Sequence, residues 1–300
     1  RVLMGSPAPP CYINGMTMRP WRDYSGRVSP LKTAVFVGLF LPGLWVAANL
    51  ALGTFGARPL TEAIHQIGLW TLRFIFIALA ITPARRLLRW PRLILVRRMV
   101  GVAACAYGLT HLSLYFVDEA FNLRQIAWEI ATRIYLTIGF TALLGLVALA
   151  VTSTDGMVRR MGARRWQRLH RIVYAIGILA VLHFFMQSKL DEWEPTVMAG
   201  IFVWLMGWRA LAWAWPQERW MIGRGIALSL AAAALTMLGE AGWFWLTVGV
   251  DPLRVLTADF SLQTGIRPGW IVLAVSLGLT LLGALSRQRG RLKFLRLRPV

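Results

Sequence analysis

Apolar runs of about 20 residues recur eight times along this 300-residue chain, and no other feature limits its fold as strongly. About 20 helical residues, rising 1.5 Å each, are needed to cross roughly 30 Å of hydrocarbon. The runs cover residues 34–52, 67–83, 99–117, 134–151, 172–188, 197–214, 226–248 and 269–285. Lipid offers no partner to backbone N–H and C=O groups, so each run has to satisfy its own as a helix. With 57% apolar and 15% charged residues, the chain reads as an all-α, polytopic transmembrane helical bundle of about eight spans. Its 15 tryptophans suit a protein with two membrane interfaces.

A net charge of +20 invites a nucleic-acid reading, which the distribution of charge excludes. With the N-terminus in the cytoplasm, the inner segments hold 26 Lys and Arg against 3 acids, counting Arg209 at the inner end of its span. The outer segments hold 6 basic and 9 acidic residues. Such alternation is the positive-inside pattern. It places both termini in the cytoplasm and makes membrane lipid, not nucleic acid, the chain's environment.

Residues 1–30, with five prolines and no apolar periodicity, are expected to be a disordered leader. Met16 or Met18 is the expected translation start. Residues 31–215 contain six spans and every histidine, 216–286 form an additional two-span hairpin, and 287–300 are a basic cytoplasmic tail. Pro42-Gly43 predicts a kink in the first span, and Thr82-Pro83 is expected to end the second. Cys11 and Cys105 suggest neither a disulfide framework nor a thiolate metal site. Gly223 and Gly225 follow no strand, so no dinucleotide fingerprint is supported, and electrons handled by this chain need a separate donor.

The four histidines carry the chemistry. Ionisable groups inside a bilayer are costly and usually functional, and neutral imidazole is a common iron ligand. His183 lies deep in IGILAVLHFFMQ and His111 in AYGLTHLSLYF, on two spans that run the same way. They stand about 11 and 13 residues from the starts of their spans, which puts them at similar depth for clamping one haem. The competing reading for each is a hydrogen-bonded core histidine. His170 lies about 20 Å nearer the cytoplasm, among Arg164, Arg165, Arg168 and Arg171. It is either an interfacial cap or a second, inner ligand whose arginines pair haem propionates. On a straight helix His170 and His183 diverge by roughly 140°, and Gly177 is a conceivable point of distortion. The position level with His170 on the third span is Arg97, with Met99 in poorer register. His65 reads as an interfacial hydrogen-bonded residue, or as part of a quinone pocket or outer haem site.

The segments THLSLY, TSTDGM, RMGARRWQRLH and IVYAIGILAVLHFF together resemble the ferric-reductase-like transmembrane domain. More narrowly they are similar to the haem-binding membrane subunits of bacterial methionine-sulfoxide reductase systems. The opening LPGLWVAANLALGTFGARPLTEAIHQIGLWTLRFIFIALAITPARR fits the same pattern, and the resemblance covers about residues 31–215. It implies a six-helix ferric-reductase-like core in the bacterial inner membrane. His111, His170 and His183 match the haem-associated histidines, with Arg97, Arg164 and Arg165 as further cofactor-binding candidates. One or two haem b groups are implied, and a flavin mononucleotide (FMN) is a possible further cofactor. The implied role is electron transfer from the quinol pool, or from a cytosolic flavin reductase, to the periplasmic molybdenum subunit MsrP. That system repairs oxidised periplasmic proteins, and this chain would not be its catalytic subunit. Alternatives are a stand-alone ferric reductase or cytochrome b, and a transporter whose path is lined by histidines with Arg73 and Glu240. The acidic loops 118–133 and 189–196 are a candidate docking face for a partner.

Overall fold

A computed structural model describes residues 21–22, 26–188, 191–215, 221–261 and 265–296. The leader and its candidate starts, Met16 and Met18, lie outside the described residues. Helices α1 (Pro30–Gly38) and α2 (Leu41–Ala51) together make the first span. They are followed by α3 (Pro59–Leu87), α4 (Ile94–Asp118), the short α5 (Leu123–Thr132) and α6 (Ile134–Val151). Two short helices, α7 (Asp155–Met161) and α8 (Ala163–His170), lead into α9 (Val173–Ser188) and α10 (Trp193–Ala214). The last pair, α11 (Met221–Val248) and α13 (Pro268–Arg296), is joined through α12 (Pro252–Asp259). Among the described residues, eight helical segments are long and apolar enough to cross a membrane. This is a multi-pass membrane protein, and the described residues contain no strand.

Helix α3 is the central element: 56% of its most apolar stretch is buried, against 11–33% for the other spans. Its buried face, with Leu72, Phe74, Ile75 and Leu79, joins Val96, Val100 and Ala104 of α4, and Phe202, Trp204 and Leu205 of α10, in one core. Ala232 of α11 and Val272 of α13 belong to the same core, so the last two spans pack onto the first six. Exposed leucines such as Leu109, Leu144, Leu230 and Leu282 face outward all round, as lipid-facing surfaces do.

Both proline expectations meet a side chain that repairs the backbone. The first span breaks between α1 and α2, just ahead of Pro42. There the Tyr107 hydroxyl accepts from the Gly43 N–H at 2.8 Å and donates to the Leu39 carbonyl at 2.7 Å. It stands where one helical i to i−4 bond would have closed, and an inserted side chain is a recognised cause of a kink. The second span does not end at Pro83. Helix α3 continues to Leu87 with Pro83 inside it. Proline has no N–H for the Leu79 carbonyl, and Arg209 of α10 donates to that carbonyl at 2.7 Å instead.

Two segments read as loops are helical. Residues 123–132 form α5, whose N-cap Asn122 side chain accepts from the Gln125 N–H at 3.2 Å. The arginine-rich connection folds into α7 and α8, separated by Gly162 at φ +75°, a conformation glycine adopts without strain. The basic tail begins as a continuation of α13 to Arg296.

Candidate haem-binding site

His111 and His183 come together in the half of the bundle nearer the C-terminal ends of α4 and α9. Their ring centroids are 6.3 Å apart and the rings nearly perpendicular, at 86°. Two metal–nitrogen bonds of about 2 Å, each nitrogen about 1 Å from its ring centre, need about 6 Å between centroids. The separation therefore suits one metal ion ligated from both sides.

The two rings are held in the same way. His111 Nδ1 lies 2.8 Å from the Ile64 carbonyl of α3, and His183 Nδ1 lies 2.8 Å from the Tyr135 carbonyl of α6. A carbonyl only accepts, so each Nδ1 carries the proton, and each neutral imidazole keeps its lone pair on Nε2. That is the tautomer a metal ligand needs, with the second hydrogen bond fixing ring orientation.

Each ring also lies against a glycine one turn beyond the carbonyl it uses. A Cβ at Gly68 would stand 2.9 Å from His111 Nδ1, and one at Gly139 would stand 2.7 Å from His183 Nδ1. Sequence reasoning missed both glycines. The available signal was a glycine inside an otherwise apolar span, which marks a close approach.

His170 occupies a different place. It ends α8, and the chain turns at Arg171-Ile172 before α9 starts. The expected divergence from His183 along one straight helix is thus removed by a break at 171–172, not by Gly177. Gly177 instead makes room for Phe202, whose ring would lie 2.6 Å from a Cβ at that position. The His170 ring stacks on Trp166, centroids 3.8 Å apart, and Nδ1–H donates to the Trp166 carbonyl at 3.1 Å. Its Nε2 is 3.4 Å from the Ser153 hydroxyl, which is closer to the Leu149 carbonyl at 2.7 Å. His170 borders a cleft of about 260 Å³ between α3, α4, α6 and α8, together with Arg97, Arg98, Gly101, Ser153 and Trp166.

Arg97 thus shares a wall with His170, as its register predicts. Met99 packs against the core. Arg164 and Arg165 are exposed on α8 and do not line the cleft. Arg98, not singled out by sequence, stands there in their stead, tied to Asp155 of α7. His65 is exposed, with Nε2 3.4 Å from the Gln187 amide.

The charged residues proposed for a transport path are paired. Arg73 meets Glu194 at 2.8 Å, and Glu240 meets Arg267. The acidic docking face is also smaller than the sequence suggests. Glu129 is buried, accepting from the Tyr115 hydroxyl at 2.7 Å and Arg133 at 3.0 Å. Glu192 is buried and Glu194 is paired, leaving Asp118 and Asp191 exposed, with Glu119 partly so.

A helical bundle with histidines paired between two spans defines a class, and residues 64–181 match the ferric reductase like transmembrane component. Among curated relatives, a protein-methionine-sulfoxide reductase heme-binding subunit MsrQ from Rhodospirillum rubrum is 45% identical over 181 residues. That alignment covers 60% of this chain and 85% of the relative. The subunits of the same name from Caulobacter vibrioides and Xanthomonas campestris pv. campestris are 42% and 45% identical. They align over 58% and 59% of this chain, and each over 84% of its own length. No solved structure matches the chain. The chain belongs to the MsrQ family.

Proposed function

We propose that this chain is a haem b electron-transfer subunit that carries electrons across the bacterial inner membrane to a periplasmic methionine-sulfoxide reductase, MsrP, for repair of oxidised proteins. The observation that carries the reading is the His111–His183 pair, 6.3 Å between ring centroids, with both Nδ1–H groups tied to backbone carbonyls. These two residues would hold the iron through Nε2. A bound haem supplies reversible one-electron chemistry. The protein's part is to keep both imidazoles neutral and oriented. The Ile64 and Tyr135 carbonyls do this, and hydrogen bonding at Nδ1 raises the basicity of the ligating nitrogen.

The second cofactor position of this reading is the cleft at His170. Its Nε2 lone pair is weakly engaged, and Arg97 and Arg98 offer charge to an anionic group. Haem propionates and the phosphate of a flavin mononucleotide fit that chemistry alike. The arginine-rich segments support a cytoplasmic position for this end; in this reading electrons enter here, from quinol or a cytosolic flavin reductase, and leave near His111 and His183. The residual acidic face at Asp118, Glu119 and Asp191 suits a partner with a basic patch, acting chiefly on association rate. In this reading residues 31–215 are the haem-binding unit, 216–286 an added hairpin and 287–300 a cytoplasmic tail.

Two experiments test the proposal. His111→Ala and His183→Ala are each expected to abolish the same low-spin haem signal, because axial clamping needs both helices. Full retention of that signal in either variant overturns the pairing. Membranes holding the pre-reduced protein, mixed with purified MsrP and methionine sulfoxide, are expected to reoxidise their haem faster than without MsrP. No acceleration would remove MsrP as the acceptor.

A further inference from the structure

The last spans carry a buried polar cluster that the electron-transfer reading does not use. Glu192 at the start of α10, Glu240 on α11 and Asp259 at the end of α12 are only 5%, 4% and 3% exposed. Arg267, just before α13, reaches Glu240 with one nitrogen and Asp259 Oδ1 with another, at 3.5 Å. Glu192 lies close enough to Glu240 for their charges to repel. It has no cation partner among the described residues. Of the other charged residues at this end, Glu194 pairs with Arg73, and Asp191, Asp251 and Arg254 are exposed. All four cluster residues lie outside the matched segment 64–181.

Two carboxylates on one guanidinium, with the carboxylate of Glu192 beside them, would leave two negative charges away from water. Uncompensated buried charge costs several kcal/mol per ion, and such groups neutralise instead. A second observation points the same way. Glu192 Oε2, Glu240 Oε2 and Asp259 Oδ2 are buried without a hydrogen-bond partner among the described residues. A carboxylate only accepts, whereas a protonated carboxyl also donates, so a proton gives one of these oxygens a bond to offer its neighbours. Burial pushes the carboxyls of Glu192 and Asp259 up from their ordinary values, in Asp259 against the pull of Arg267.

We propose that Glu240 and Asp259, both held by Arg267, form with the neighbouring Glu192 a proton-binding site that holds one proton at neutral pH. The proton belongs to the cluster, because interacting carboxyls titrate as a unit. Amide substitution of any one acid leaves two carboxylates and one arginine, the net charge of the protonated site, so the proton is no longer needed. The sign of the pH effect follows. The folded chain binds more protons than the unfolded one, so this cluster's contribution to stability falls as pH rises above the ordinary carboxylate range.

The test is pH-dependent infrared difference spectroscopy on the purified full chain in lipid. The wild type is expected to show a protonated-carboxyl band at neutral pH that bleaches as pH rises. Glu240→Gln is expected to lose it, with Asp259→Asn and Glu192→Gln as independent variants should one fail to fold. Thermal stability is expected to fall less steeply with pH in any folded variant. Absence of the band in the wild type at neutral pH, or its survival in every folded variant, overturns the proposal.

Discussion

At the scale of single residues, the site depends as much on two glycines as on two histidines. A methyl group at Gly139 would sit 2.7 Å from His183 Nδ1 and 2.8 Å from Cε1, closer than real contacts allow. The ring cannot yield without leaving the Tyr135 carbonyl that orients it. Gly139→Ala and Gly68→Ala are therefore expected to weaken haem retention by about 10–100-fold, the usual effect of disturbing a ligand's outer partner. Gly278→Ala is the control: nothing lies within 4 Å of the methyl it would add. Haem titration of the three variants in detergent checks the contrast, and equal affinity in all three would remove the glycines from the site.

At the scale of the element, α3 shows how a proline is tolerated in a span. Its ladder lacks one donor at Pro83, and a free carbonyl in a bilayer is costly. Arg209 fills the gap at Leu79 while also donating to its own Leu205 carbonyl at 2.7 Å. Its guanidinium lies over the Tyr174 ring, 5.4 Å from the centroid. Arg209→Leu is expected to cost about 1–3 kcal/mol, the penalty of an unsatisfied buried acceptor. Pro83→Ala restores an N–H for the Leu79 carbonyl, so the double variant is expected to lose less than Arg209→Leu alone. Thermal unfolding of the two singles and the double forms a cycle. Strict additivity would mean that Arg209 does not serve the proline.

At the scale of the whole molecule, the last two spans are docked through small residues. A Cβ at Gly200 would stand 2.2 Å from Thr236 Oγ1 and 2.6 Å from Val272 Cγ2, so α10, α11 and α13 approach as closely as a glycine allows. Small residues at helix contacts are the usual means of packing in lipid, where apolar burial gives no drive. Gly200→Val is expected to destabilise the bundle by about 1–3 kcal/mol through overpacking. The low-spin signal assigned to His111 and His183 is expected to persist, since neither histidine touches this contact. Loss of the signal in a folded Gly200→Val protein would tie the hairpin to the haem site.

The residue types and their spacing determined a large part of this protein by themselves. Apolar run length specifies eight spans because hydrocarbon thickness specifies helix length. Similar distances from their span starts put His111 and His183 at about one level, and the structure brings them together. Arg97 takes its place beside His170 by the same counting. What periodicity could not supply were groups contributed by other helices. The carbonyls of Ile64 and Tyr135, the glycines that admit the rings and the Trp166 plane under His170 act through contacts between spans. Whether Pro83 ends a helix was likewise undecidable locally, because the compensating donor, Arg209, lies 130 positions after the carbonyl it serves. The acidic loops gave the converse error: Glu129 and Glu192 look solvated in sequence and are buried in the fold. A bilayer dictates along the chain where helices must form, while only their packing decides which polar groups find partners.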